Sequence, residues 1–166
     1  MNVRDATLGD VPAMARIYDH FVETSVATFD TEPRGLDVLT AKVEHADQSD
    51  HVLVALENEQ VVGYATSGPF RPRPAYGRTK ETSVYVHPAH TGAGVGRALY
   101  TVLLARLDQD ATVHTQISVI ALPNPASEAL HLTLGFDRVG TLREVGHKLG
   151  RYVDVLYMQR ISSRPR

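Results

Sequence analysis

Apolar residues along this chain follow two spacings, one typical of helices and the other of strands. Helical spacing joins Val11, Met14, Ala15, Tyr18 and Val22, which predicts a helix with one buried face. Further helices are predicted in LDVLTAKVEHA, GRALYTVLLARLDQD and LPNPASEALHLTLGF. Short apolar runs predict strands at NVRDA, HVLVAL, VVGYATSGP, ETSVYVHP and TQISVIAL, and two more strands around a turn over Gly146–Gly150.

The resulting order, β-α-α-β-β-β-α-β-α-β-β, predicts a mixed α/β fold. The chain has 166 residues, a length that suits one domain, which we place at 1–161, followed by a flexible tail at 162–166. A net charge of −2 gives no reason to expect nucleic acid or an anionic membrane as a partner. The absence of cysteine excludes disulfides, thiolate metal sites and a cysteine nucleophile. Without an apolar leader or spanning segment, a cytoplasmic location is expected.

The most informative local pattern is the glycine-rich elbow PAHTGAGVGRALY between a strand and a helix. Unpaired N–H groups at a helix start favour an anion, and glycine lets the backbone approach it closely. The elbow lacks the Gly-Lys-Ser/Thr of a phosphate loop. It also fails the dinucleotide fingerprint, because Arg97 or Leu99 occupies the last position. A glycine turn that binds nothing stays open on these residues alone.

The segment VYVHPAHTGAGVGRALYTVLL resembles the acyl-CoA pyrophosphate loop of the GCN5-related N-acetyltransferases, Q/R-x-x-G-x-G/A. Thr91 stands where that family usually has Gln or Arg, so the backbone N–H groups must supply the cradle. The resemblance implies that the pantetheine arm pairs with the strand ETSVYV. The residues expected to bind acetyl-CoA are Val84, Tyr85, Val86, Thr91, Gly92, Ala93, Gly94, Val95, Gly96, Arg97, Asn124 and Ser127.

Further segments resemble one branch of that family, the phosphinothricin acetyltransferases, which also acetylate methionine sulfone and methionine sulfoximine. They are FDTEP, SGPFRPRPAY, ETSVYVHPAH, GRALY, IALPNPASEALHLTLGF and REVGHKLGRYVDV. The resemblance implies a central mixed, mostly antiparallel sheet flanked by helices, with acetyl-CoA as co-substrate and no metal. It also implies a homodimer, in which Lys148, Arg151 and Asp154 act near the partner's active site.

Acetyl transfer needs a neutral amine and a proton for the departing thiolate. By resemblance, Glu81 is the base, acting directly or through water, and Tyr100 is the proton donor. An ordinary strand glutamate and a core tyrosine are the alternatives. Asn124 and Ser127 have a second interpretation as helix caps. His131 matches a family histidine, and a purely interior histidine is equally compatible with its position.

For the amino acid substrate, the guanidinium groups of Arg71 and Arg73 suit an oxo-acid or sulfone group, with Tyr76 as a phenolic partner. A solvated basic loop is the alternative. Phe29 and Glu32 resemble family positions on the amine side of the site. His87 and His90 have no zinc-site spacing, so no metal is expected.

These residues together predict an acetyl-CoA-dependent N-acetyltransferase acting on a small amino acid analogue. Two other functions remain open. One is a CoA-binding sensor without turnover, and the other is acetylation of protein N-termini or lysines.

Overall fold

The computed structural model describes residues 1–46 and 49–162. The strands are β1 (Asn2–Asp5), β2 (Val52–Glu57), β3 (Gln60–Pro69), β4 (Thr79–Val86), β5 (Thr115–Ala121), β6 (Asp137–Lys148) and β7 (Arg151–Ile161). The helices of more than one turn are α1 (Val11–Thr24), α2 (Leu36–Glu44), α3 (Val95–Gln109) and α4 (Pro125–Thr133). This order confirms the predicted α/β class and the predicted succession of elements.

The seven strands form one sheet in the order β1-β2-β3-β4-β5-β7-β6. Every neighbouring pair is antiparallel except β4 and β5, which α3 connects as a parallel crossover. The β4–β5 register covers only Thr79↔Thr115, Lys80↔Gln116 and Glu81↔Ile117. Beyond these pairs the two strands separate. We call the gap after Glu81 and Ile117 the fork.

Helices cover both faces of the sheet because successive side chains of a strand point to opposite sides. In β2, Leu53 packs with α3, whereas the neighbouring Val54 packs with α1 and α2. Leu103 of α3 and Met14 of α1 are fully buried in these two cores. The result is a rigid three-layer support on either side of the fork.

The hairpin between the last two strands differs from the sequence prediction. Its turn is Leu149–Gly150, and Gly146 lies inside β6 rather than in the turn. A Cβ atom at Gly146 would lie 2.3 Å from Cε2 of Phe29, so the missing side chain makes room for that ring. The turn prediction at Gly146–Gly150 is therefore wrong in extent, because glycine there serves close packing rather than chain reversal.

The C-terminal end of the described chain is held by hydrogen bonds. Ser162 N–H donates to the His114 carbonyl at 2.9 Å, and Gln116 Nε2 donates to Ser162 Oγ at 2.9 Å. Ser162, with which the expected flexible tail begins, is therefore buried and fixed. Residues 163–166 of that expected tail lie outside the described residues. Within the described part of the chain, no helix has the length and apolar character needed to cross a membrane.

Candidate active site

Two cavities meet at the fork. The larger, about 510 Å³, extends from the fork to the glycine-rich elbow, and we call it the elbow cavity. The smaller, about 300 Å³, contains the Glu81 carboxyl group in its lining, and we call it the Glu81 cavity. Both are lined by the same wall at the fork, formed by Ala27, Ser83, Tyr85, Val119 and Ala121. The two cavities are therefore neighbours at the fork.

The elbow places the N-terminus of α3 at the elbow cavity. Gly92 and Gly94 adopt φ values of 76° and 80°, in the left-handed region that favours glycine. A Cβ at Gly94 would meet no atom within 4 Å, so the space beside it is open. Gly96 has another role, since a Cβ there would lie 3.2 Å from Leu130 Cδ2. Conformation thus requires glycine at 92 and 94, and packing against α4 favours it at 96.

The residues expected to bind acetyl-CoA are gathered in the elbow cavity. All of them except Ala93 line it, and so do Tyr100 and His131. At the start of α4, Asn124 Oδ1 accepts a hydrogen bond from Ser127 N–H at 3.1 Å. Asn124 is therefore a helix cap and also part of the cavity wall, so its two interpretations are compatible.

A buried polar cluster lines the elbow cavity at the fork. Thr82 Oγ1 and Ser118 Oγ lie 2.7 Å apart, joining β4 and β5 through their side chains. Tyr100 Oη lies 3.5 Å from each of these hydroxyls. Its ring is only 1% exposed, and burial raises the pKa of the phenol. Tyr100 is therefore fully protonated near neutral pH.

His131 orients the Tyr100 hydroxyl. Its Nδ1 lies 2.7 Å from the Ser127 carbonyl, which can only accept, so Nδ1 carries the hydrogen. Burial lowers the pKa of His131, which keeps the imidazole neutral. The bare Nε2 then accepts from Tyr100 Oη at 3.1 Å. The hydrogen of Tyr100 consequently points to His131 in this structure.

Glu81 is a half-buried carboxylate on β4 at the start of the fork. Burial raises its pKa, and the positive charges of Lys42 and Arg71 offset part of that rise. Lys42 lines the same cavity as Glu81, whereas Arg71 does not. A raised pKa brings the carboxylate closer to neutrality and makes it a better base than an exposed glutamate.

Aromatic rings form the apolar wall of the Glu81 cavity. Tyr85 lies between Tyr18, 5.1 Å away in an edge-to-face contact, and Tyr64, 5.4 Å away in a stacked contact. Burial raises the pKa of all three phenols, so they remain uncharged. The Tyr85 side chain thus belongs to the wall shared by the two cavities, in addition to the backbone role predicted for it.

The loop between α1 and α2 is bonded to the cavity it helps to line. Tyr18 Oη donates to Asp30 Oδ2 at 2.5 Å and lies 2.6 Å from Thr28 Oγ1. Arg34 Nη2 donates to Asp30 Oδ1 at 2.7 Å. Lys148 Nζ, from the end of β6, donates to the Thr28 carbonyl at 2.8 Å. Lys148 therefore supports the cavity of its own chain.

The other residues expected at the substrate side lie further out. Phe29 lines the Glu81 cavity, whereas Glu32, Arg71, Arg73 and Tyr76 are exposed and line neither cavity. The Arg71 guanidinium carbon lies 5.0 Å from the centre of the Phe70 ring, and Tyr76 contacts the same ring edge-on. Near the end of the chain, Arg151 is exposed, and Asp154 Oδ1 accepts from Glu144 N–H at 2.7 Å.

The side chains that line the Glu81 cavity and that the sequence did not single out for the site include Tyr18, Arg34, Lys42 and Tyr64. Arg34 directly follows the FDTEP segment, so its neighbourhood was visible in the sequence. Tyr18 and Tyr64 have the pattern of core residues. Lys42 has the pattern of a cation in the last turn of a helix, which is common for reasons of helix stability alone.

Two neighbouring cavities, one at a helix N-terminus and the other beside a half-buried carboxylate, suit an enzyme that transfers a group from a phosphorylated carrier to a small acceptor. The sequence matches the Acetyltransferase (GNAT) family over residues 14–136, and the chain belongs to this family of N-acetyltransferases. The donor used by GNAT acetyltransferases is acetyl-CoA.

Named relatives include members of the predicted branch. The chain is 39% identical to a phosphinothricin N-acetyltransferase of Streptomyces coelicolor over 164 residues, 96% of this chain and 95% of that protein. It is 37% identical to an L-methionine sulfoximine/L-methionine sulfone acetyltransferase of Salmonella typhimurium over 163 residues, 96% of this chain and 93% of that one.

Solved structures of similar proteins share the whole fold. A phosphinothricin acetyltransferase from Sinorhizobium meliloti in complex with AcCoA gives a TM-score of 0.92 at 32% identity, covering 99% of this chain and 92% of that one. A ribosomal-protein-alanine N-acetyltransferase from Brucella melitensis gives 0.90 at 39% identity, covering 97% of this chain and 99% of that one. Both comparisons confirm the fold class.

Proposed function

We propose that this protein transfers the acetyl group of acetyl-CoA to the amine of a small amino acid analogue such as phosphinothricin, methionine sulfone or methionine sulfoximine. The observation that carries the proposal is the wall shared by the two cavities at the fork. It lets a carrier in the elbow cavity present its thioester to an amine in the Glu81 cavity, and such positioning is a large part of catalysis. The names of the relatives support this class of acceptor.

Acetyl-CoA is held chiefly by the backbone in this proposal. The diphosphate binds the N–H groups around Gly94 at the start of α3, where the helix dipole favours an anion. The pantetheine arm follows Val84–Val86 as an added strand, because β5 has turned away from β4 there. An N–H group of β4 then faces the thioester oxygen and stabilises the negative charge that develops on it.

Glu81 prepares the amine for attack. It takes one proton from the acceptor ammonium group, directly or through a water molecule, and the neutral nitrogen attacks the thioester carbonyl. The new C–N bond forms, the C–S bond breaks, and its electron pair stays on sulfur. The nitrogen releases its second proton to water as the amide forms, and exchange with water afterwards removes the proton from Glu81 and restores the one that Tyr100 gives to sulfur. The products are the N-acetyl amino acid and coenzyme A.

Tyr100 supplies the proton that the leaving thiolate needs. Burial raises its pKa, so the phenol keeps its proton near neutral pH and can donate a hydrogen bond to the developing thiolate. Because a thiol is the stronger acid of the two, full transfer to sulfur is uphill, and reprotonation of the phenolate from water completes it. The hydroxyl hydrogen must turn from His131 Nε2 toward the sulfur before the transfer. His131 is a positioning residue in this scheme, because it holds the phenol at the fork until the thiolate forms.

Arg71, Arg73 and Tyr76 form the outer part of the acceptor site in our proposal, where they meet the oxo-acid or sulfone end. For Arg71 the support is electrostatic. Its positive charge lowers the pKa of Glu81, so the two side chains lie close enough to interact. Glu32 is exposed on the loop that precedes Arg34 and completes the amine side. Arg73 precedes a single helical turn, Pro74–Tyr76, which ends with Tyr76 and stiffens this connection.

We also propose a homodimer formed through the last two strands. β6 is a 12-residue edge strand, and its residues Val139, Leu142 and Val145, together with Tyr152 of the neighbouring β7, expose between 47% and 66% of their surface. Long apolar edges of this kind are normally covered by another chain. Sedimentation of the purified protein tests the assembly, and a monomer at micromolar concentration would contradict it.

Acetylation of protein amines is a second candidate, because the Brucella melitensis structure carries the name of a ribosomal-protein-alanine N-acetyltransferase. A thiol reagent that detects coenzyme A separates the candidates when acetyl-CoA is mixed with methionine sulfone or with an alanine-terminated peptide. Our proposal expects rapid release with methionine sulfone and slow release with the peptide. Tight acetyl-CoA binding with no release for any amine would instead indicate a sensor without turnover.

A further inference from the structure

Among the described residues Lys42 has no salt bridge, whereas the other two lysines of the chain are each bonded to a neighbouring group. Lys80 pairs with Asp50 at 2.5 Å, and Lys148 donates to backbone carbonyls. Among the residues that the structure describes, no salt bridge involves Lys42, which lines the Glu81 cavity from the last turn of α2. A cation in such a position is available to a bound anion.

The groups around Lys42 further favour the binding of an anion beside it. The Lys42 side chain is exposed to solvent at the cavity, yet the surrounding protein atoms lower its pKa by partial desolvation and the positive charge of Arg34 lowers it further, while Glu81 and Asp50 act in the opposite direction. Arg34 lines the same cavity, but Asp30 already holds its guanidinium group. Lys42 is therefore the cation of the cavity whose charge is least compensated, and a carboxylate beside it would offset both unfavourable effects.

The covalent structure of an α-amino acid fixes how far its carboxylate can lie from its amine. In an α-amino acid the amine nitrogen and the carboxylate carbon share one carbon atom. Whatever binds the carboxylate must consequently line the same small cavity as the base that serves the amine. Lys42 and Glu81 both line the cavity of about 300 Å³, and each perturbs the pKa of the other. Arg71 and Arg73 line neither cavity and suit the opposite end of the acceptor.

We propose that Lys42 binds the α-carboxylate of the acceptor, so that the enzyme selects α-amino acids over simple amines. This inference rests on the proposed acetyl transfer and adds the inner anion site to it. The acceptor then spans two cationic groups, with Lys42 at the carboxylate end and the Arg71–Arg73 loop at the oxo-acid or sulfone end. Its amine faces Glu81 between them.

The competing explanation is structural, because a lysine in the last turn of a helix also stabilises the helix C-terminus. A pair of matched acceptors separates the two. One is methionine sulfone, and the other is 3-(methylsulfonyl)propan-1-amine, which lacks only the carboxylate. A structural role of Lys42 affects both acceptors alike, whereas a carboxylate site affects only the first.

The experiment compares kcat/KM of the full-length wild type and Lys42→Met for both acceptors. We expect Lys42→Met to lower kcat/KM for methionine sulfone about 10- to 100-fold through KM, as for other lost charge-assisted hydrogen bonds, and to change the amine less than about twofold. Lys42→Arg should restore part of the loss. Arg16→Gln, which removes an exposed charge from α1, should change neither value.

Equal losses on both acceptors, or no loss on either, would overturn the carboxylate site while leaving acetyl transfer intact. Wild-type protein that acetylates neither acceptor nor any other amine would overturn the proposed function and this inference with it. A fall in the folded fraction of Lys42→Met does not confuse the result, because it scales both rates equally and cancels in their ratio.

Discussion

The elbow cavity and the Glu81 cavity share a wall but are built in opposite ways. The elbow cavity relies on backbone groups and small residues from continuous stretches, Val84–Val86 and the elbow, with α4 beside them. The Glu81 cavity relies on side chains brought together from α1, the following loop, α2, β3 and β4. A binding surface made of backbone tolerates change at most side chains, whereas one made of side chains can be altered residue by residue. The difference predicts that donor binding and acceptor selection can be changed separately.

The largest effect should follow the loss of the base. Glu81→Gln should lower kcat about 10²- to 10⁴-fold and leave acetyl-CoA affinity unchanged, because only the acceptor side loses a group. Burial raises the pKa of Glu81, so wild-type activity should rise with pH through a value above that of an ordinary glutamate, as the carboxylate forms.

Steady-state rates across pH check both parts of this prediction. The Glu81→Gln variant should lack the rise that belongs to Glu81, and calorimetry should give it a wild-type affinity for acetyl-CoA. Wild-type activity in the variant at every pH would remove Glu81 from the mechanism.

The second-largest effect should be a loss of acetyl-CoA affinity that leaves the acceptor site unchanged. Gly94→Val places a β-branched residue at a φ of 80° and fills the open space beside the helix start. We expect acetyl-CoA affinity to fall about 10-fold or more, since the strained backbone costs about 1–3 kcal/mol. Gly150→Val is the matched control, because Gly150 has a similar φ of 73° and the same open space but lines neither cavity. Equal affinities for the two variants, measured by calorimetry, would exclude the cradle.

An intermediate effect is expected at the outer acceptor site. Arg73→Ala should raise KM for oxo-acid and sulfone acceptors about 10-fold, the range for a lost charge-assisted hydrogen bond, and should change KM for simple amines little. Initial rates with both classes of acceptor provide the measurement. A similar rise for the two classes would show that Arg73 does not contact the anionic group.

The smallest effect should come from the wall that Phe29 forms. Gly146→Ala pushes a Cβ into the Phe29 ring, which must move, at a cost of about 1–3 kcal/mol in unfolding free energy. We expect acceptor KM to rise severalfold and acetyl-CoA affinity to stay constant. Gly140→Ala, in the same strand with no atom within 4 Å, is the matched control. Denaturant unfolding and kinetics of both variants test this, and identical behaviour would separate Phe29 from the acceptor site.

The same contrast explains what the sequence could predict. The helices, the strands and the glycine-rich elbow follow from local sequence patterns, such as the helical spacing of α1 and the glycines at 92 and 94. The fold and the elbow cavity could therefore be predicted from the sequence. Lys42 and Tyr18 reach Glu81 only through the packing of α1 and α2 on the sheet, which no local pattern reveals. Gly146 was misplaced for the same reason, because its neighbour Phe29 is more than a hundred residues away in the chain.

Release of coenzyme A by the wild-type protein, followed with a thiol reagent while product is identified by mass spectrometry, tests the central claim most directly. Acetyl-CoA and methionine sulfone together should yield coenzyme A and N-acetylmethionine sulfone in equal amounts, and acetyl-CoA alone should yield almost none. Release that does not depend on the amine, or no release with any amine despite bound acetyl-CoA, would contradict transfer across the fork.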